Sequence, residues 1–163
     1  MHRLALGVLP FAVLTACQPA PASDDDSSQA PMAPQAAVAA VRQVFQQYVD
    51  DWNAPNIDAV LAVLADDVVQ MPPDTVIVGK EALSTDWHRY LGENDDLWEP
   101  TIDEIQAAGN LVFIKTHSTE TWTPKAGGES ITTYGQGITV FRRSASGTWE
   151  LVLEQWFERE PSM

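Results

Sequence analysis

Residues 111–157 run LVFIKTHSTETW, TPKAGGES, ITTYGQGITVFRR, SASGT and WELVLEQWF, and their reading decides the fold. The first, third and fifth pieces are rich in Val, Ile, Thr, Phe, Tyr and Trp, which suit a pleated, half-buried surface. The pieces between them carry turn signals, Pro124 to Gly128 and Ser144 to Gly147. Strands over Leu111–Trp122, Ile131–Arg143 and Trp149–Phe157 therefore meander antiparallel. Upstream, Ile102 to Ala107 reads as another strand, set off by Ala108-Gly109-Asn110. Before it, Ala82, Leu83, Trp87, Tyr90 and Leu91 recur at helical spacing and predict a helix over Lys80–Leu91. Val68–Met71, stopped by Pro72-Pro73, and Val76–Val78, closed by Gly79, form a small hairpin. Ile57, Val60, Leu61 and Leu64 predict a short helix capped by Asn56 or Asp58 and ended by Asp66-Asp67. Val38, Val41, Phe45, Tyr48 and Trp52 give a helix over Ala37–Trp52 with Tyr48 on its buried face. Three helices and an antiparallel sheet of five to six strands make an α+β domain.

The start of the chain is an address rather than part of that domain. Residues 1–16 combine Arg3, an apolar run from Leu4 to Leu14 and small residues before Cys17, the secretory pattern. The run is far short of the roughly 20 residues that span a bilayer as a helix. Leu14-Thr15-Ala16-Cys17 resembles the lipobox of bacterial lipoproteins, which implies lipidation of Cys17. The single cysteine excludes an internal disulfide. Residues 17–36, rich in Pro, Ala, Ser and Asp, read as the lipidated cysteine and a solvated linker; residues 37–158 are the domain and 159–163 a tail. Asp24-Asp25-Asp26 lacks the alternating spacing and turn glycine of a calcium loop. The expected location is the cell envelope, exported and lipid-anchored on the periplasmic side of the outer membrane.

Without Arg3, 8 basic side chains face 23 acidic ones, a formal charge of −15. Such a field repels phosphate backbones and anionic membranes, so nucleic acid is excluded as a partner and the lipid is the expected membrane contact. No Gly-x-Ser-x-Gly elbow or phosphate-cradling glycine loop is present. With Cys17 acylated, His88 and His117 would have to gather distant carboxylates to hold zinc, so neither metal nor cofactor is expected.

The order Tyr48-(x3)-Trp52-Asn53-(x4)-Asp58-Ala59-Val60-Leu61, Leu64-Ala65-Asp66-Asp67-Val68-Val69, Met71-Pro72-Pro73, Gly79-Lys80-Glu81-Ala82 and Trp149 to Trp156 resembles the SnoaL-like branch of the nuclear transport factor 2 superfamily. That branch includes ketosteroid isomerases and polyketide cyclases. The resemblance implies a cone, a curved sheet wrapped around the long first helix with a pocket at the wide end, and homodimers through the outer sheet face. Gly135 and Gly137 fit such a strand, either by permitting curvature or by letting a ligand approach.

The resemblance also tests the chemistry. Ketosteroid isomerase uses a carboxylate base with a tyrosine and a protonated aspartic acid as oxyanion hole. Tyr48 falls at the tyrosine position; the base position falls near Pro72, with Asp74 the nearby substitute; the acid position falls near Thr139. The resemblance turns Val152, Glu154 and Trp156 toward the cavity. A carboxylate against tryptophan in a dry cone becomes a general acid or base near neutral pH, whereas on the outer face Glu154 would pair with Lys115 or Arg142. An inward His117 could carry protons for Glu154 or Tyr48; a lone strand histidine is more often a structural or surface group. Trp52, Met71, Trp87, Thr139, Val152 and Trp156 are the expected ligand-binding wall, and Tyr48, Glu154, His117 and Asp74 the candidate catalytic groups. Trp122 and Trp149, at strand ends, suggest packing or a dimer contact.

Three functions fit these residues. The first is binding of a small, largely hydrophobic molecule in the cone. The second is isomerase- or cyclase-type catalysis with Glu154 or Asp74 as base and Tyr48 as oxyanion donor. The third is a non-catalytic envelope module for dimerisation or protein interaction.

Overall fold

The computed structural model describes residues 32–159. The signal segment, Cys17 and the linker up to residue 31 lie outside the described residues, as do residues 160–163. Helix α1 spans Pro34–Asn53 and α2 Ile57–Ala62; strands β1 Leu64–Met71 and β2 Ile77–Val78 follow; then come α3 Lys80–Glu93, β3 Asn94–Ala108, β4 Leu111–Pro124, β5 Ile131–Arg143 and β6 Trp149–Arg159. They form one sheet in the order β2-β1-β6-β5-β4-β3. Its pairs are antiparallel except β1 with β6, which run parallel, so the sheet is mixed. Among the described residues no helix is long and apolar enough to cross a membrane.

Helix α1 starts three residues inside the stretch read as linker, because Pro34 occupies its first turn, where a missing N–H costs no hydrogen bond. Ala37, Val41, Phe45 and Tyr48 recur on one face and are buried. They pack with Val112 and Ile114 of β4, Phe141 of β5 and Leu151 of β6. Burying side chains of this size contributes roughly 1.5–3 kcal/mol each, so this cluster holds the helix to the sheet. Phe45 and Tyr48 both meet the Trp98 ring edge-on, at 5.9 and 6.0 Å between centroids. The last helical residue, Asn53, donates from Nδ2 to the Trp98 carbonyl and accepts the Trp98 N–H at Oδ1, both at 2.8 Å. Its amide thus behaves like one residue of a neighbouring strand and covers part of the exposed β3 edge.

Three sequence expectations need correction. Leu64 belongs to β1 rather than to α2, and Asp66-Asp67 lies inside that strand. The side chain of Asn56, at the α2 N-cap, makes no capping bond; it donates to Asp51 at 3.0 Å instead. The largest difference is β3, which begins eight residues before Ile102. Asp95, Asp96, Glu99 and Pro100 have low strand propensity, yet pairing with β4 along the whole stretch overrides it, and Pro100 is tolerated on an edge strand. A bulge at Asp103 then shifts the register between Ile102 and Glu104.

Candidate active site

The inner face of the sheet, the end of α1 and the inward side of α3 enclose a cavity of about 490 Å³. At its floor, Tyr48 Oη donates to Glu154 Oε2 at 3.3 Å and Gln70 Nε2 donates to the same oxygen at 3.0 Å. Trp87 Nε1 donates to Gln70 Oε1 at 3.3 Å, which fixes which way the Gln70 amide points. Glu154 is only 9% exposed and Tyr48 2%. Burial raises the Glu154 carboxyl above its ordinary range, while the bonds from Gln70 and Tyr48 pull it back down. The Tyr48 hydroxyl is raised well above 10, by burial first and by Glu154 second, so it stays a proton donor.

A second acidic group lies further along the wall. Asp96 of β3 accepts from Trp52 Nε1 at 2.7 Å. Its other oxygen, Oδ1, is shut off from solvent without a partner of ordinary hydrogen-bond geometry. The Glu120 carboxyl adjoins it and is pushed up to about 8, by burial first and then by Asp96. Asp96 is raised as well, again mainly by burial, against the opposing bond from Trp52. Adjacent buried carboxyls favour keeping one proton between them. Trp52 is fixed on its other faces by Trp87, edge-on at 5.3 Å, and by Tyr90, stacked at 6.4 Å.

Of the residues singled out in the sequence, Tyr48, Trp52, Trp87, Thr139, Glu154 and Trp156 line this cavity. Four lie elsewhere. Asp74 is exposed in the turn between β1 and β2 and is absent from the lining. His117 points outward, bonded at Nδ1 to Asp103 Oδ1 at 2.6 Å, because the β4 face that carries Val112, Ile114 and Thr116 is the inner one. Met71 follows Gln70 on β1 and so takes the opposite side. Val152 is the extra residue of a bulge: Val140 pairs with Leu153 and Phe141 with Leu151, so Leu151 and Glu154 both turn inward. Arg142, weighed as a Glu154 partner, instead grips Asp67 at 2.7 and 3.0 Å on the surface. Of the two strand-end tryptophans, Trp149 is core and Trp122 lines the cavity.

The sequence reading missed Gln70, Trp98, Glu120 and Asp96. Stepping in twos from Val112 and Ile114 would have put Glu120 on the inner face, and stepping from Val68 would have done the same for Gln70. Asp96 had no such signal, since its stretch lacks strand-forming residues. Gly137 also has a specific reason: a Cβ there would lie 3.1 Å from the Gln155 carbonyl oxygen and 3.3 Å from Thr116 Oγ1. Among the described residues no group of three or more His, Cys, Asp or Glu could hold a metal ion.

A helix cradled in a curved sheet around a hollow defines the nuclear transport factor 2-like class. Residues 45–151 match the SnoaL-like domain, and the chain belongs to that family. Among solved structures, a conserved protein of Planctomyces limnophilus superposes with a TM-score of 0.70 at 23% identity, over 77% of this chain and 99% of that one. A ketosteroid isomerase-like protein of Erwinia carotovora atroseptica gives 0.66 at 26% identity, over 76% and 97%. A nuclear transport factor 2-like superfamily protein of Salmonella enterica gives 0.69 at 11% identity, over 79% and 95%. No protein of curated function matches the chain in sequence. The fold is a scaffold for ligand binding and for isomerase-type chemistry.

Proposed function

We propose that the domain binds a small, largely hydrophobic molecule in the cavity, oriented by hydrogen bonds to the Tyr48–Glu154–Gln70 cluster. The observation carrying this reading is a hollow of about 490 Å³ whose aromatic walls end on a buried, hydrogen-bonded carboxyl. Apolar walls supply affinity and a few fixed polar groups supply orientation. The test uses the neutral dye N-phenyl-1-naphthylamine. Its emission should rise on mixing with the domain and stay flat with Ser118→Trp, which fills the cavity from β4. Equal emission with both proteins would overturn the reading.

A second reading is acid–base catalysis of the isomerase type, favoured by the contact between Tyr48 and Glu154. Glu154 would remove a proton next to a carbonyl, and Tyr48 would turn its O–H to the developing oxyanion. Asp74, the other candidate base, is not among the residues that line the cavity. The similarity to a ketosteroid isomerase-like protein supports this reading. Deuterium exchange into a β,γ-unsaturated ketone should fall ~10²–10⁴-fold with Glu154→Gln; unchanged exchange would eliminate Glu154 as the base.

The lipobox supports export and lipid anchoring through Cys17, in residues outside those described. Cys17→Ser should yield an unlipidated soluble protein, and retention of that variant in membranes would refute the anchor.

A further inference from the structure

We propose that the cavity selects an organic cation, a protonated amine or quaternary ammonium carried on an apolar or aromatic body. This rests on the pocket-binding reading above and adds the charge of the ligand.

The walls provide one reason. Trp52 of α1, Trp87 and Tyr90 of α3, Trp98 of β3, Trp122 of β4 and Trp156 of β6 converge on one hollow. Aromatic faces carry negative quadrupole density, and a ring-lined cage attracts an alkylated ammonium while excluding the water it would otherwise keep. Neutral ligands would gain contact area from the same rings but nothing from their electrostatics.

The carboxyls provide the second reason. Glu120, Glu154 and Glu158 line the cavity, and Asp96 stands against Glu120 with one oxygen shut off from solvent. Arg89 is the only Lys or Arg among the lining residues, and at the rim it is engaged by Asp86 and Glu93. An anionic ligand would therefore meet several carboxyls and no free positive charge. A neutral one would cover the Asp96–Glu120 pair and further bury it without compensation. An ammonium seated by Trp98 and Trp122, which stand opposite Glu120 and Asp96 in the strand register, would satisfy both. Among the described residues these acids make up no group that could hold a metal ion. That favours a diffuse organic cation.

The protonation of the pair gives the inference a signature. Around Glu120 in the cavity stand Asp96 of β3, Glu154 and Glu158 of β6, Tyr48 of α1, Tyr134 of β5, and Tyr90 with the Asp86–Arg89 pair of α3. Burial and Asp96 hold Glu120 up at about 8, so it keeps a proton at neutral pH in the empty cavity. A permanent cation displaces that proton. Its affinity should rise with pH up to about 8, with a limiting slope of ~10-fold per unit, and level off above.

The experiment compares three ligands of like shape by calorimetry on the folded domain: benzyltrimethylammonium, its neutral isostere neopentylbenzene, and the anion phenylacetate. Tryptophan emission gives an independent reading of occupancy. The expected result is a preference of at least ~10-fold for the cation at pH 8.5, decreasing toward pH 6. Glu120→Gln should remove most of both the preference and the pH dependence. Asp96→Asn serves as the second variant should Glu120→Gln fail to fold. Neutral or anionic binding as tight as the cation's, or cation affinity flat from pH 6 to 8.5, overturns the charge selectivity and leaves the pocket reading intact. Failure of all three ligands to bind or to move tryptophan emission overturns both.

Discussion

Tyr48 and Glu154, separated by 106 positions in the chain, meet at 3.3 Å on the floor of the cavity. The contact joins the first helix to the last described strand, and both side chains are withdrawn from water. Replacing Tyr48 by Phe keeps the ring packed on Trp98 but removes the hydroxyl that Glu154 accepts from. The expected cost is about 1 kcal/mol in urea unfolding. Because that bond holds the Glu154 carboxyl down, its midpoint should move up, readable by carbon NMR of a labelled Glu154 side chain. A midpoint that stays put would separate the two groups.

Glu120 sets a direction for stability against pH. Its folded value of about 8 lies above the 4.5 of an unperturbed glutamate, so the folded chain holds a proton that the unfolded chain has released. Stability from this group is complete below about pH 4.5 and is lost as pH climbs toward 8, a change on the order of a few kcal/mol. Melting temperature should therefore fall over that window. In Glu120→Gln it should fall markedly less, as thermal melts in matched buffers would register.

His117 and Asp103 belong to the outer face, with side chains 53% and 33% exposed. His117→Ala and Asp103→Ala should each change stability by less than about 1 kcal/mol, as exposed pairs do. Ligand affinity or any turnover in the cavity should be unaffected. A loss of either beyond twofold would return His117 to the list of functional groups.

Asn53→Ala removes both bonds to the Trp98 backbone and leaves that stretch of the β3 edge unpaired. The expected loss is roughly 2 kcal/mol of stability. Amide exchange at Trp98 should quicken, since its N–H loses the acceptor it has in Asn53.

The helical face of α1 and the three strands from Leu111 onward were legible because their apolar spacing is strong and their turns are marked by Gly, Pro and Ser. Alternation on the last strand grouped Glu154 and Trp156 with Val152, and the family resemblance turned that set to the cavity side. The alternation failed at Val152, because a bulge inserts one residue and reverses the phase without a composition signal. It also failed for Asp96, whose neighbours Asp95 and Leu97 give no periodic contrast and whose strand exists only through pairing with β4. His117 shows the reverse case: its face was readable from Val112 and Ile114, yet a histidine among polar neighbours suggested chemistry. The partner it finds, Asp103, is available because the β3 bulge falls there. Tertiary pairing, rather than local pattern, decided each of these positions.

The parallel union of β1 with β6 has a temporal side. Strand β6 lies in the middle of the sheet, between β1 and β5, although it follows every other described strand in the sequence. Until it docks, Leu64 and Gln70 have no neighbour in register on that side, and the barrier to productive closure carries the entropy of closing the chain from Leu64 to Leu151. A nascent chain halted before Trp149 would present two unmatched sheet margins. The sheet is thus complete only once this strand has docked between β1 and β5.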